Sequence, residues 1–401
     1  MVKIYTITEY NSFIKSDIQH DEYINMNDDD FNSLENFILS NPQLTDFMNI
    51  SLKKGIGKSI SVRNYVGILQ VNDFLTIEIL PKIYAYQNDI SHTKRTFFNM
   101  IKNLKDIPFK NFQKAFIQVD NVPMLDVFIM EFLTMLDTLV QKNLVSDYTS
   151  KVENVNFLKG KLDFPKQIKY NTIHKERFYL KRNVFSIDCI ENRLIKSTLI
   201  LLSRHTSGYK HLIQNYLCYF DSVQTSIDFQ KDILSYKITS KNIHYKDILR
   251  WCEVFLTGNG FLNFVGDSYS YALLFPMQKV FESYVSSLVV KLCSKEYSIK
   301  LQDRTNFLID APKNLFAIVP DIVLKNDSET IILDTKWKML NMDSKNYGIS
   351  QQDMYQIYVY AKKYDSKKVF LIYPLSDDHF IGKDIKLITD DITIHIKFIK
   401  L

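Results

Sequence analysis

Two aspartates and a lysine carry the spacing in this 401-residue chain that could do chemistry. They lie in IVPDIVLKNDSETIILDTKWK, residues 318–338. Two apolar runs, AIVPDIVL and TIILDTKW, flank the polar, turn-like KNDSE. Asp321 sits in the first run, Asp334 in the second, and Lys336 follows two residues later. Residues i and i+2 of a strand point to one face, so Asp334 and Lys336 are expected to project together with Thr335 turned away. The interval from Asp321 to Asp334 is long enough for a strand, a tight turn and a return, which would let the two carboxylates meet across a hairpin. Two carboxylates about 4 Å apart repel unless a cation neutralises them, so the pair predicts Mg²⁺, with Mn²⁺ as a substitute. Such an ion would polarise a scissile phosphate and acidify a water. Lys336 could orient that water or offset developing negative charge. A plain polar hairpin end with a surface Asp-Thr-Lys would read the same way in isolation. Placement between two β-rich runs is what favours a site.

The elements around this segment must hold it. A long amphipathic helix is predicted over 275–296 (FPMQKVFESYVSSLVVKLCSKE), strands near 298–302, 315–324 and 329–335, a helix over roughly 350–364, and strands at 369–375 and in ITIHIKFIKL at the end of the sequence. Helix, strands, helix and strand in that order can gather strand ends around one cleft. Gln356 and Tyr360 fall four apart on one face of the second helix. A glutamine there can bond a base or phosphate, or fix an active-site lysine, and the tyrosine can stack or donate to phosphate. Core and rim positions of an ordinary helix fit them equally.

Upstream, KIYTITEY alternates as a strand does. Residues 17–36 read as an acidic loop feeding a short helix. Residues 59–83 read as a small antiparallel sheet broken by an Asn-Asp turn at 72–73. Helices are predicted over 91–105 and 122–143, then over 191–205, through HLIQNYLCYFDSV, and over 247–258 with Gly258 as C-cap. The expected division is an α+β region over 1–165, a mainly helical middle over 166–265, and an α/β domain over 266–401.

Composition is that of an ordinary globular chain, 46% hydrophobic and 24% charged. The formal net charge of +5 permits nucleic-acid binding without arguing for it. Cys189, Cys218, Cys252 and Cys293 form no CxxC and suggest buried thiols in a reducing compartment. With neither a cleavable leader nor an apolar run of about 20 residues, the expected location is cytoplasmic, with no membrane partner.

The acidic-lysine constellation resembles the PD-(D/E)xK nuclease superfamily. Pro320-Asp321 stands as its PD, Asp334-Thr335-Lys336 as its DxK, and Gln356-x3-Tyr360 as the helix motif of its RecB-like branch. More of the chain is similar to the McrC family, the nuclease subunits of McrBC-type modification-dependent restriction systems. VGILQVNDFLTIEILPKI (66–83), LKGKLDF (158–164), DCIENRLIKSTLILL (188–202) and LLFPMQKVFESYV (273–285) match its blocks in order, with Val280 where leucine is commoner. The resemblance implies an N-terminal α+β region that engages an McrB-like AAA+ GTPase hexamer and stimulates it, a helical middle, and a restriction-endonuclease-like α/β domain that cuts double-stranded DNA. It implies Glu282 as a further acidic ligand beside Asp321 and Asp334, where the residue alone would read as an exposed helix glutamate. GTP and recognition of the modified base, methylcytosine by expectation, would belong to the partner. A non-cleaving activator of an AAA+ NTPase and a motor-independent nuclease are the competing readings. Dimerisation would suit cutting of two strands.

Other residues stay open at this level. Arg193 and Lys196 could build a structural network, with Asp188 as a partner, or touch DNA or partner protein. Lys82 after Ile79-Leu80-Pro81 could contact a partner or end a strand. GIGKS at 55–59 lacks the first glycine of a phosphate loop, since Leu52 occupies that place, and a basic loop is expected instead. Trp251 and Trp337 are expected to be packing residues.

Overall fold

A computed structural model describes residues 3–15, 23–83, 89–104, 122–257, 271–341, 343–376, 380 and 385–401. The chain divides into two compact units, residues 1–124 with 260–401, and residues 125–259. Compactness therefore groups the two ends of the sequence, unlike the three consecutive segments expected from the sequence. No helix among the described residues is long and apolar enough to cross a membrane.

The first unit begins with β1 (Lys3–Thr8), β2 (Ser12–Lys15), β3 (Ile24–Met26), α1 (Asp28–Ser40), β4 (Met48–Lys53), β5 (Gly57–Val62), β6 (Tyr65–Asn72), β7 (Leu75–Leu80) and α2 (Ile90–Ile101). α1 starts where the Asn27 side chain accepts the Asp30 N–H, with Asp28, Asp29 and Asp30 in the favourable first turn. It buries Phe31, Leu34 and Ile38, a helical stripe. Part of the acidic stretch before it, 17–22, lies outside the described residues. Strands β3-β2-β5-β4 form one sheet. The GIGKS segment is the turn and start of the β4–β5 hairpin, with Gly55 and Gly57 at φ of 81° and 95°. No helix follows it, so it lacks the strand-loop-helix setting of a phosphate loop. β6 and β7 pair antiparallel, and the Asn72 side chain accepts the Phe74 N–H within the predicted turn. β1, however, pairs with β7 in parallel, so the sheet is mixed. α2 is tied to β7 by a buried pair, Lys94 Nζ 2.6 Å from Glu78 Oε2, while Glu78 Oε1 accepts the Met124 N–H at 2.6 Å.

The second unit contains α3 (Met124–Gln141), β8 (Asp147–Val155), β9 (Lys161–Leu162), α4 (Phe164–Asn171), β10 (Phe178–Ser186), α5 (Ile190–His205), α6 (Lys210–Leu217), α7 (Phe229–Ser235) and α8 (Lys246–Thr257). The middle is less helical than expected. FYLKRNVFS, residues 178–186, is a strand pairing along its whole length with β8 and at its start with β9. Gly160 has a φ of 132°, and a Cβ there would lie 2.8 Å from the Lys181 carbonyl oxygen, which explains the glycine of LKGKLDF by close strand approach. Asp163 of the same block caps α4 by accepting the Lys166 N–H. α5 buries Leu194, Ile195, Thr198, Leu199 and Leu202, as the pattern predicted. Gly258, expected to cap α8, lies outside the described residues.

The first unit resumes with β11 (Tyr271–Pro276), α9 (Met277–Cys293), β12 (Ser298–Leu301), β13 (Asn306–Ile309), β14 (Leu315–Ile318), β15 (Ile322–Lys325), β16 (Thr330–Thr335), α10 (Gln351–Lys363), β17 (Lys368–Pro374), β18 (Ile385–Thr389) and β19 (Ile392–Ile399). The predicted helix over 275–296 starts later, after Pro276, because LLFP is strand β11. β11 pairs antiparallel with β6 and completes the sheet β1-β7-β6-β11. Gly67 permits this: its φ is 140°, and a Cβ would fall 2.0 Å from the Leu273 carbonyl oxygen. A six-stranded sheet, β12-β15-β16-β17-β19-β18, forms the C-terminal core. β15–β16 is an antiparallel hairpin, and β16–β17–β19 run parallel. Ile357, Tyr360 and Ala361 of α10 join the core of this sheet with Val369, Leu371 and Ile396.

Candidate active site

The β15–β16 hairpin places the aspartates. Ile322 pairs with Leu333 at the end of the ladder, so Asp321, the residue before β15, lies at the Asp334–Thr335 end of β16. Val323 and Leu324 are buried on one strand, and Ile332 and Leu333 on the other. Both faces of this hairpin are therefore covered, which suits near-continuous apolar runs.

Each acid has a distinct setting. Asp321 Oδ2 accepts the Thr335 N–H and the Thr335 hydroxyl, both at 2.7 Å. Thr335, expected to turn away, thus holds Asp321 in place. Asp321 lies just before β15, so its side chain is free of the strand pleat and reaches the neighbouring strand. Burial raises the Asp321 pKa, with the Thr335 bonds and the Lys336 charge opposing the shift. Asp334 is 2% exposed. Its pKa is pushed up to about 6, first by burial and then by the Asp321 charge, against the pull of Lys336. Lys336 Nζ stands 2.6 Å from Asp334 Oδ2, close enough for an ion pair.

Lys336 is held from its other side. Its Nζ donates to Gln356 Oε1 at 3.0 Å, Gln356 Nε2 donates to Tyr360 Oη at 2.6 Å, and Tyr360 Oη donates to the Val319 carbonyl at 3.0 Å. Of the roles open to Gln356, the geometry provides the fixing of the lysine. Tyr360 is buried, its hydroxyl spent on the chain that leads into Asp321, and burial pushes its pKa up to about 12. The i, i+4 spacing on α10 therefore links both strands of the hairpin. Thr335 and the Val319 carbonyl were not legible as site groups, since a backbone acceptor has no sequence signature.

Glu282 on α9 belongs to the same electrostatic neighbourhood. Its pKa is pushed up to about 7 by burial and then by the Asp321 charge, with Asp334 adding and the Gln302 bond opposing. Its Oε1 accepts Gln302 Nε2 at 2.6 Å. It borders a groove of 610 Å³ with Lys279, Ser283, Ser286 and Gln302. Among the described residues no three His, Cys, Asp or Glu side chains are gathered as a formed metal cluster. The structure brings Asp321, Asp334 and Lys336 together, with Gln356 and Tyr360 supporting them, and sets Glu282 beside them on Gln302. The carboxylate oxygens of these three acids, each with a raised pKa, are a donor set that would suit a hard divalent cation.

The other candidates fall elsewhere. Arg193 grips Asp188 with Nε and Nη2 at 2.7 and 2.9 Å, and the Gln224 N–H adds a bond to Asp188. Lys196 Nζ donates to the carbonyls of Phe220 and Val223, and Asn192 to those of Val145 and Ile187. The Asp-x3-Asn-Arg-x2-Lys block is a scaffold within the second unit. Lys82 offers its backbone N–H to Glu9.

The model for the McrBC 5-methylcytosine restriction system component matches residues 60–374. The chain belongs to this family. That span contains all six residues of the candidate site and the family-like blocks around them. Among solved structures, a chain of a refined half-complex from a tetradecameric assembly of Thermococcus gammatolerans McrB AAA+ hexamers with bound McrC is similar to it. The TM-score is 0.74 at 16% identity, with 100% of this chain and 95% of that one covered. A chain in the cryo-EM structure of the Thermococcus gammatolerans McrBC complex gives a TM-score of 0.51 at 18% identity, with 72% and 88% covered. At these identities the likeness shows the fold alone. No curated protein matches the chain.

Proposed function

We propose that the chain is the nuclease subunit of an McrBC-type restriction system, cutting double-stranded, methylcytosine-containing DNA in concert with an McrB-like AAA+ GTPase hexamer. The observation that carries this reading is Asp321, tied to Thr335 at the end of the hairpin, next to Asp334, with Lys336 held beside Asp334 and fixed through Gln356 and Tyr360. A mixed sheet with an acidic hairpin at its centre and helices α9 and α10 in the same unit supports a PD-(D/E)xK topology. Asp321 and Asp334 would hold Mg²⁺, and Glu282 would join them once released from Gln302. The ion would supply charge neutralisation at the phosphate and a more acidic water. Lys336, fixed at its Nζ by Gln356, presents N–H donors toward the phosphoryl oxygen as negative charge grows there. Thr335 orients the Asp321 carboxylate. GTP hydrolysis and base recognition lie with the partner, consistent with the hairpin character of GIGKS.

Reconstitution tests this. The chain, an McrB-like partner, GTP, Mg²⁺ and methylated duplex are combined, and DNA cutting and GTP turnover are followed together. Asp334→Ala is expected to abolish cutting while GTP turnover stays stimulated. Cutting that survives Asp334→Ala would overturn the site. Wild-type stimulation without any cutting would favour a purely activating subunit.

A further inference from the structure

Glu9 follows β1 and is 1% exposed, a carboxylate that the proposed chemistry does not use. Its own N–H donates to the Leu80 carbonyl at 2.9 Å, docking it on the end of β7. Its side-chain Oε1 accepts the Lys82 N–H at 2.9 Å and the Trp337 indole Nε1–H at 2.7 Å. Oε2 is buried without a hydrogen-bond partner among the described residues. A small cavity of 150 Å³ adjoins it, lined by Glu9, Tyr10, Lys82, Trp337, Lys338 and Met339.

Trp337 is the residue after Lys336. Its ring packs on Phe281, centroids 5.4 Å apart, next to Glu282. The Lys336 N–H donates to the Ile372 carbonyl at 2.9 Å, fixing one side of the lysine's backbone to β17. The indole bond fixes the other side to the N-terminal sheet. Burial makes a carboxylate costly here and pushes the Glu9 pKa up to about 7. Packing alone would be met by an apolar side chain, whereas only an acceptor can hold an indole N–H and a backbone N–H at once.

We infer that Glu9 is a positioning residue for Lys336: by gripping the Trp337 indole from the N-terminal sheet, it fixes where β16 ends and so where the lysine ammonium stands relative to Asp334. The inference rests on the nuclease reading of the site. It makes the geometry of β1 and β7, far from the acids in sequence, a determinant of the cleavage step. A displacement of about 1 Å in a catalytic group costs on the order of 100-fold in rate.

The full-length chain is assayed with its McrB-like partner, GTP, Mg²⁺ and methylated duplex. Glu9→Gln keeps an acceptor oxygen for both bonds and is expected to cut within about 2-fold of wild type. Glu9→Leu removes both bonds and is expected to lower the cleavage rate at saturating DNA by about 10–100-fold, with KM for DNA nearly unchanged. Trp337→Phe, which keeps an aromatic ring but no N–H, is expected to show the same loss and carries the test if Glu9→Leu does not fold. The chain has two tryptophans, so the Trp337 indole N–H resonance can be assigned by substitution. It is expected to move in Glu9→Leu and to stay hydrogen-bonded in Glu9→Gln. Wild-type rates in folded Glu9→Leu or Trp337→Phe, a change confined to KM, or equal loss in Gln and Leu variants would each overturn the inference. Asp334→Asn separates the two claims. If it is inactive while Glu9→Leu cuts normally, only the positioning role fails. If Asp334→Asn cuts, the site itself is misassigned and the role of Glu9 falls with it.

Discussion

Replacing Asp334 by Asn should stabilise the metal-free protein while removing its activity. Asp334 is buried, and its pKa stands at about 6 against an ordinary 3.8. A carboxyl whose folded pKa exceeds its unfolded one binds its proton more tightly when folded. Stability is therefore lost as pH rises from about 4 to about 6, and the full penalty remains above that range. Two pH units correspond to about 3 kcal/mol above pH 7, and roughly half of that at pH 5. Asparagine carries no charge to desolvate and does not repel Asp321, but it forfeits the ion pair with Lys336. A net gain of about 1–3 kcal/mol at pH 8 follows, equivalent to a rise in Tm of about 2–8 °C for a unit of this size. The assay is a thermal melt in chelator at pH 8 and pH 5, repeated with Mg²⁺. The variant should melt higher than wild type at pH 8, with a smaller difference at pH 5. Mg²⁺ should raise the wild-type Tm and leave the variant nearly unmoved. A variant less stable than wild type at pH 8 in chelator would refute the claim that the acids are held together against their charge.

Gln356→Ala should cut DNA about 10-fold more slowly with little change in Tm, because it frees Lys336 without opening the core; rate and melt measured on one preparation check this. Glu78→Ala leaves Lys94 buried without its partner and strips an acceptor from the Met124 N–H, so it should cost about 3–5 kcal/mol and lower Tm by at least about 6 °C. Gly67→Ala should fail to fold stably, since about 1–3 kcal/mol of backbone strain adds to a clash with the Leu273 carbonyl; expression and melting read it directly.

The local parts of this molecule were legible because they rest on short-range patterns. The β15–β16 hairpin follows from two apolar runs around a polar turn, and α5 and α10 from helical spacing. Gln356 and Tyr360 on one face of α10 followed from their interval alone, although only the structure chose lysine fixing among their roles. The unread parts depend on partners distant in sequence. β11 was absorbed into a helix because its reason to be a strand is β6, some 200 residues earlier. The parallel pairing of β1 with β7 has no signature in either strand. β10 sat in a stretch read as helical because only Leu180 of FYLKRNVFS is buried and its strand character rests on pairing with β8. Glu9 lay in a strand-like segment whose importance appears only when Trp337 arrives beside it. The hairpin and helix motifs with one family-like block named the candidate residues, whereas Thr335 and the Val319 carbonyl act through backbone atoms or a residue type that any strand can carry.

The central claim is that Asp321 and Asp334 together hold the ion that serves DNA cleavage. A crystal of the chain with duplex DNA, soaked in Mn²⁺ and measured for anomalous scattering, tests it most directly. The predicted result is a peak about 2.1 Å from a carboxylate oxygen of each aspartate and near one phosphate, with Glu282 turned from Gln302 toward it. Ordered DNA with no peak between the aspartates, or a peak held elsewhere on the chain, would contradict it.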